Sequence, residues 1–158
     1  MAQSHDRIPS EDGVLSAGPY YNPSSKSYFE LRRKNNITWD QAALAVKMLK
    51  YKNISGRLAT IANPSTHSFL VKKFTFSENT WLGLQLFCKD LTLKWSDGSS
   101  PHTNNFSNWN ETIEKVTYHC EKVDYISAYI KSNSYKWKLG DTDKRSNFYL
   151  VEYPIETK

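Results

Sequence analysis

Two tryptophan-bearing segments restrict most strongly what this chain can fold into. In Thr80-Trp81-Leu82-Gly83-Leu84-Gln85-Leu86, apolar residues alternate with small or polar ones, the period-two pattern of a half-buried strand. A second run, Leu91-Thr92-Leu93-Lys94-Trp95, closes on Ser96-Asp97-Gly98, an Asp-Gly turn signal. Two short strands with two indoles and a glycine between them read as the centre of a core.

The rest of the composition is consistent with such a core. At 158 residues, 39% of them hydrophobic and 14% aromatic, the chain is long enough for one compact domain. Five Trp, ten Tyr and seven Phe against two Met suggest a β-rich interior, because rings fit a pleated surface better than a helix face. The net charge of +5 comes from Lys and Arg scattered along the chain, so it reads as a solvated surface and not as a nucleic-acid or membrane patch. No apolar run approaches the ~20 residues that span a bilayer, and residues 1–18 have no apolar stretch of the kind a signal peptide needs. Four Asn-x-Ser/Thr patterns, at Asn36, Asn53, Asn105 and Asn110, point to a secreted or surface glycoprotein whose leader is absent from this stretch.

Cys88 and Cys120 are the two cysteines, and His5, His67, His102 and His119 are dispersed. No zinc-type spacing occurs. Two buried free thiols are the expectation for the cysteines, with a Cys88–Cys120 bridge as the alternative.

In chain order, residues 1–18 form a flexible polar arm. Tyr20-Tyr21, the turn Asn22-Pro23-Ser24-Ser25 and Tyr28-Phe29-Glu30-Leu31 resemble a hairpin. Thr38 with Gln41 makes a capping box, and Ala42, Ala45, Val46 and Leu49 repeat on one helical face behind it. Gly56 is expected to mark the turn after that helix. Leu58-Ala59-Thr60-Ile61 follows as a short strand. Asn63-Pro64 then caps a second helix over residues 64–73, expected to bury Phe69 and Leu70 and to leave His67 facing solvent.

An ordered set of motifs now becomes informative. Trp39 with Ala42-Ala43, Gly56-Arg57-Leu58-Ala59-Thr60-Ile61, Phe69-Leu70, Trp81-Leu82-Gly83-Leu84, Trp95-Ser96-Asp97-Gly98, Asn108-Trp109, Lys136-Trp137 and Phe148-Tyr149-Leu150-Val151-Glu152-Tyr153 together resemble the C-type lectin-like domain. The resemblance covers about residues 20–154. It implies an α+β fold in which two helices flank two small antiparallel sheets, the N- and C-terminal strands pair, and a long loop region carries the ligand site. The chain then divides into the arm at 1–18, the domain at 19–154 and a tail at 155–158. The family's usual disulfide between first helix and last strand falls on Val46 and Val151, an apolar pair that replaces the cross-link by packing.

The resemblance also implies where a ligand would bind, between residues 97 and 143. Sugar-binding members hold calcium there with carboxylate and amide oxygens, which hydrogen-bond the sugar as well. Calcium requires about six to eight oxygens, so several such side chains must converge. This chain departs from both motifs that supply them. Asn108-Trp109 is followed by Asn110-Glu111-Thr112-Ile113-Glu114-Lys115, without the family's proline, and Trp137 is followed by Lys138, where an amide ligand is expected. A charged lysine cannot ligate calcium. The usual sugar-coordinating calcium site is therefore expected to be absent. No cofactor is expected, and calcium enters only through a non-standard site built from Glu114, Glu121, Asp124, Asp141 and Asp143.

The ordinary reading of those carboxylates is pairing with Lys115, Lys122, Lys138 and Lys144. Glu152 matches a position that often supports a structural calcium, but a partly exposed strand glutamate is equally ordinary. Among the loop residues Asn105, Asn108, Asn110, Glu111, Glu114, Lys138 and Asp141 are the ligand-facing candidates. Trp95, Trp109 and Trp137 are assigned to the core, with His102, Asn104, Phe106, Tyr118 and Tyr135 beside the loop. No nucleophile, phosphate loop or paired-carboxylate arrangement points to an enzyme. The reading is a recognition or adhesion module, part of a larger surface protein, that binds a protein or glycan through the 99–143 loop face. The alternative is a carbohydrate-binding lectin, with or without calcium.

Overall fold

The computed structural model describes residues 13–101, 106–109, 120, 123–140 and 143–155. Strand β1 (Val14–Asn22) turns back into β2 (Ser27–Thr38) as an antiparallel hairpin. The arm expected through residue 18 is corrected over its last part, because residues 14–18 already belong to β1. Strand β2 runs twelve residues to Thr38, which is also the N-cap of helix α1 (Trp39–Lys47). The capping box is present in both directions: Gln41 N donates to Thr38 Oγ1 at 3.2 Å and Thr38 N to Gln41 Oε1 at 3.0 Å. Ala42, Ala45 and Val46 face inward, and Leu49 is buried just beyond the helix.

The turn expected at Gly56 occurs earlier. Lys52 and Asn53 both have left-handed φ, 51° and 65°, the geometry of a two-residue hairpin joining β3 (Lys50–Tyr51) to β4 (Ile54–Ser55). Gly56 is needed for closeness instead of turning. A Cβ there would stand 2.9 Å from the Val46 carbonyl oxygen and 3.2 Å from Val151 Cγ1. Val46 and Val151 are both buried in one cluster, as expected for a packed replacement of a cross-link.

Strand β5 (Arg57–Leu58) leads to helix α2 (Pro64–Lys73), with Asn63 Oδ1 accepting from Thr66 N at 2.8 Å. Leu70 is buried, but Phe69 is only partly so. His67 is corrected from solvent-facing to half-buried, 6.0 Å ring to ring from Phe106. Burial lowers its pKa, helped by the nearby charge of Lys136.

Strands β6 (Thr80–Phe87), β7 (Thr92–Trp95), β8 (Tyr125–Ile130), β9 (Trp137–Gly140) and β10 (Arg145–Pro154) complete the elements. The sheet order is β1-β2-β10-β6-β8-β9, with β5 on β10 and β7 on β6. Its two antiparallel halves meet in one short parallel contact, where Phe148 and Tyr149 of β10 pair with Thr80 and Trp81 of β6. The terminal strands pair over nearly all of β10. Alternation places Leu82, Leu84 and Leu150 in one cluster with α2, and Trp81, Tyr149 and Val151 in a second with α1. Burying both faces explains why one period-two pattern could not show the whole core. Trp39 Nε1 to Leu82 O (2.6 Å) and Trp81 Nε1 to Ile37 O (2.9 Å) fasten α1 and β2 to β6. Among the described residues no helix is long and apolar enough to cross a membrane.

Two ties corrected or extended the sequence reading. Cys88 and Cys120 are bonded to each other and not free. Phe87 pairs with Tyr125 and Cys88 N donates to Asp124 O at 2.8 Å, so the chain returning to β8 passes beside Cys88. The bridge spans a separation of 32 residues. Replacing both cysteines by serine is expected to cost about 3–4 kcal/mol in denaturant unfolding, chiefly through the freed unfolded chain.

The second tie is Tyr125 OH donating to Asp40 Oδ2 at 2.6 Å, which joins β8 to α1. That hydrogen bond, with partial burial and the carboxylate charge, pushes the phenol up to about 12 from an ordinary 10.0. A raised acid pKa favours the neutral form in the fold, so this stabilisation is complete below pH ~10 and is lost as pH rises through ~12. Asp40→Asn is expected to return Tyr125 towards its ordinary value in an NMR titration of labelled tyrosine rings.

Candidate functional site

The wall of the long-loop region is built on β9. Trp137 is fully buried, and three rings stand nearly perpendicular to it: Trp95 at 5.2 Å, Trp109 at 5.5 Å and Phe106 at 5.9 Å between centroids. Trp95 is buried as well, and among the described residues neither its indole N–H nor that of Trp137 has a hydrogen-bond partner. Trp109 is half-buried against the same cluster. The three tryptophans and Phe106 thus form one ring cluster centred on Trp137.

Asn108 is tied to β9 and the residues before it at three atoms. Its backbone oxygen accepts from Trp137 N at 2.8 Å, its Nδ2 donates to Tyr135 O at 2.8 Å, and its Oδ1 accepts from Lys136 Nζ at 3.1 Å. Both ends of the amide are therefore engaged within the protein. Tyr135 holds its carbonyl there with a left-handed φ of 58°, unusual for a bulky residue. Its ring lies edge-on to Phe76 at 5.7 Å and its hydroxyl reaches Phe74 O at 3.4 Å.

Lys138 is half-buried on β9, opposite Tyr129 of β8. Lys144 lies over the Tyr129 ring, 4.6 Å from its centroid, and not on a carboxylate. Lys136 adds a further cation, at the Asn108 amide oxygen. Asp124 and Asp143 are exposed. The other candidates, Asn105, Asn110, Glu111, Glu114, Glu121 and Asp141, lie outside the described residues, as do His102, Asn104, Tyr118, Lys115 and Lys122. Among the described residues no three His, Cys, Asp or Glu side chains come together as metal ligands. Among the described residues, the Asn108 amide oxygen accepts from the Lys136 ammonium, and Lys138 stands at the position where the resemblance implies an amide ligand.

Glu152 is corrected from a partly exposed strand residue to a buried one, 2% exposed. It accepts from Ser27 Oγ at 2.7 Å, Arg57 Nε at 3.2 Å and Thr60 N at 3.1 Å.

A second polar cluster escaped the sequence reading altogether. Glu30 Oε2 accepts from Arg32 Nη1 at 2.9 Å and from Tyr153 OH at 2.8 Å. Burial, then the hydrogen bond to Glu30, drives the Tyr153 phenol well above its usual range. Glu30 and Arg32 alternate with Phe29 and Leu31 and so lie on the other face of β2. The end of α1 and the β3–β4 hairpin cover that face, and the sequence carries only the weak hairpin signal of Lys52-Asn53.

Comparison with known proteins agrees with this architecture. The family model described as the lectin C-type domain matches residues 35–149. The secretory phospholipase A2 receptor of Mus musculus is 24% identical over 139 residues, which is 85% of this chain and 9% of that receptor's length. Among solved structures, the carbohydrate-recognition domain of cow CD23, determined in the presence of a GlcNAc2Man3 oligosaccharide, superposes with a TM-score of 0.65 at 17% identity, covering 91% of this chain and all of that one. The carbohydrate-recognition domain of the human scavenger receptor C-type lectin gives 0.64 at 18% identity, over 89% of this chain and all of that one. The C-type lectin CEL-I of Cucumaria echinata gives 0.63 at 13% identity, over 87% of this chain and all of that one.

Proposed function

Because the chain belongs to the lectin C-type domain family, we propose that it is an extracellular, non-enzymatic recognition module that binds a protein or glycan partner through its 99–143 loop face without calcium–sugar coordination. The carrying observation is the fate of the amide and cation groups on that wall. Asn108 is engaged at both ends, and Lys138 occupies the place of an amide ligand. Removing sugar-coordinating oxygens and adding ammonium groups favours a partner with acidic groups at the contact over a metal-held sugar diol. The disulfide supports an oxidising compartment, and the exposed Asn36 and Asn53 sequons fit the same setting.

The test is a parallel screen of immobilised glycans and displayed cell-surface proteins, run with calcium and with a chelator. Binding is expected to survive chelation and to weaken roughly tenfold in Lys138→Glu, as for a charge at an interface. Binding abolished by the chelator contradicts the reading.

A further inference from the structure

Helix α1 turns an apolar ridge outward. Leu44 and the C-cap Met48, four residues apart and therefore on one face, are 66% and 74% exposed, more than any other large apolar side chain among the described residues. The inward face is formed by Ala42, Ala45 and Val46 instead. Single exposed apolar residues are ordinary, but an i, i+4 pair is the ridge by which one helix packs into the groove of another.

The surround of that ridge is cationic. Residues 41–77 contain no Asp or Glu, and Lys47, Lys50 and Lys52 are exposed. Met48 and Lys50 line one cavity, which sets the end of α1 beside the β3–β4 hairpin. Lys52 Nζ is held on that hairpin by Tyr28 OH at 3.3 Å. The helix dipole accounts only for Lys47, in the last turn. Two acids of neighbouring segments are already engaged, Asp40 by Tyr125 OH and Glu30 by Arg32 and Tyr153.

We propose that the outer face of α1 docks a helix of a protein partner, apolar along one stripe and acidic on its flanks, at a surface separate from the long-loop face. Leu44 and Met48 supply the ridge, and the unbranched methionine adapts to the groove it meets. Lys47 and Lys50 select the charge of the flanks, because carboxylates on the partner complete ion pairs that this stretch of chain lacks.

Charge also disfavours the other occupants. A two-fold contact with a second copy through α1 sets Lys47 and Lys50 against their own images. An anionic membrane meets only two apolar side chains on a nine-residue helix, too little apolar surface to anchor it. The rings around Trp137 pack on the cluster that holds α2, whereas α1 packs on the other cluster, so this surface and the long-loop face are distinct.

The experiment titrates three helical peptides of one template into ¹⁵N-labelled protein. Each carries leucines at i, i+4 spacing, flanked by glutamate in the first, glutamine in the second and lysine in the third. The glutamate peptide is expected to shift the amides of Leu44, Lys47, Met48 and Lys50, to leave residues 137–140 unmoved, and to bind about tenfold more tightly than the glutamine peptide. Leu44→Ser with Met48→Ser is expected to weaken it roughly tenfold at an unchanged melting temperature, since both side chains are exposed. Lys47→Glu with Lys50→Glu is expected to transfer the preference to the lysine peptide. No shift at these amides, equal binding of the glutamine peptide, or indifference to the serine pair overturns the proposal, as does a response of the same amides to phosphatidylserine vesicles in place of the peptide. Lys138→Glu is expected to bind the glutamate peptide as wild type does, which keeps failure here distinguishable from failure of the loop-face reading.

Discussion

Glu152→Ala is expected to lower stability by about 3–5 kcal/mol, the usual cost of breaking a buried, hydrogen-bonded charge, and to lower the melting temperature by roughly 10 °C. The carboxylate sits on β10 where three other segments meet it: the start of β2 through Ser27, β5 through Arg57, and residue 60 through its backbone N–H. The network continues outward. Ser27 Oγ is 2.6 Å from Ser25 Oγ, and Asn22 Nδ2 reaches Ser25 Oγ at 2.9 Å and Thr66 Oγ1 on α2 at 3.2 Å. Arg57 is partly exposed and regains water when Glu152 is removed, whereas the Thr60 N–H is left unpaired inside and the Ser27 hydroxyl keeps only Ser25. Glu152→Gln keeps the shape and part of the hydrogen bonding and is expected to fall between wild type and alanine. Urea unfolding followed by tryptophan fluorescence measures all three.

Gly83→Val is expected to leave no stably folded protein, a loss above about 4–5 kcal/mol. Gly83 lies in the middle of the Trp-Leu-Gly-Leu strand, with both of its backbone groups committed. Its N–H donates to Ala59 O at 2.9 Å, and its carbonyl accepts from Ser96 N at 2.7 Å. A Cβ there would overlap the Ser96 hydroxyl and the backbone of Leu58, whose carbonyl carbon would be 2.8 Å away. The serine can rotate, but the Leu58 backbone is fixed by β5 pairing with β10. Gly98 is the contrasting case. It needs its left-handed φ of 89° but has nothing within 4 Å of a built Cβ, so Gly98→Asn is expected to stay within about 1 kcal/mol. Expression yield and circular dichroism separate the two variants.

The parts of the fold that local chemistry decides were legible in the residues. Thr38 with Gln41 and Asn63 with Pro64 mark helix starts because a cap acts within four residues, and the Trp81 and Trp95 strands follow from alternation. The ordered motifs carried the family. What stayed hidden depends on contacts between distant segments. The β3–β4 hairpin is two residues a side, too short for a periodic signal. Cys88 and Cys120 bond because β8 returns alongside β6, which the spacing of two cysteines does not reveal. Glu30 and Glu152 are charged strand residues that are nonetheless buried, because the sheet is covered on both faces. For the candidate site, the residues showed where the chain departs from the family's motifs, above all at Lys138, but not the fate of Asn108. That depends on a left-handed Tyr135 presenting its carbonyl, and no rule of sequence pattern anticipates it.

The central claim, a lectin-type frame whose recognition does not use calcium, is tested most directly by thermal unfolding in millimolar calcium and in chelator. The account predicts superimposable melting curves, since a site with an ammonium at a ligand position gains no binding energy to add to the folded state. A rise of several degrees in calcium, reversed by the chelator, would contradict it.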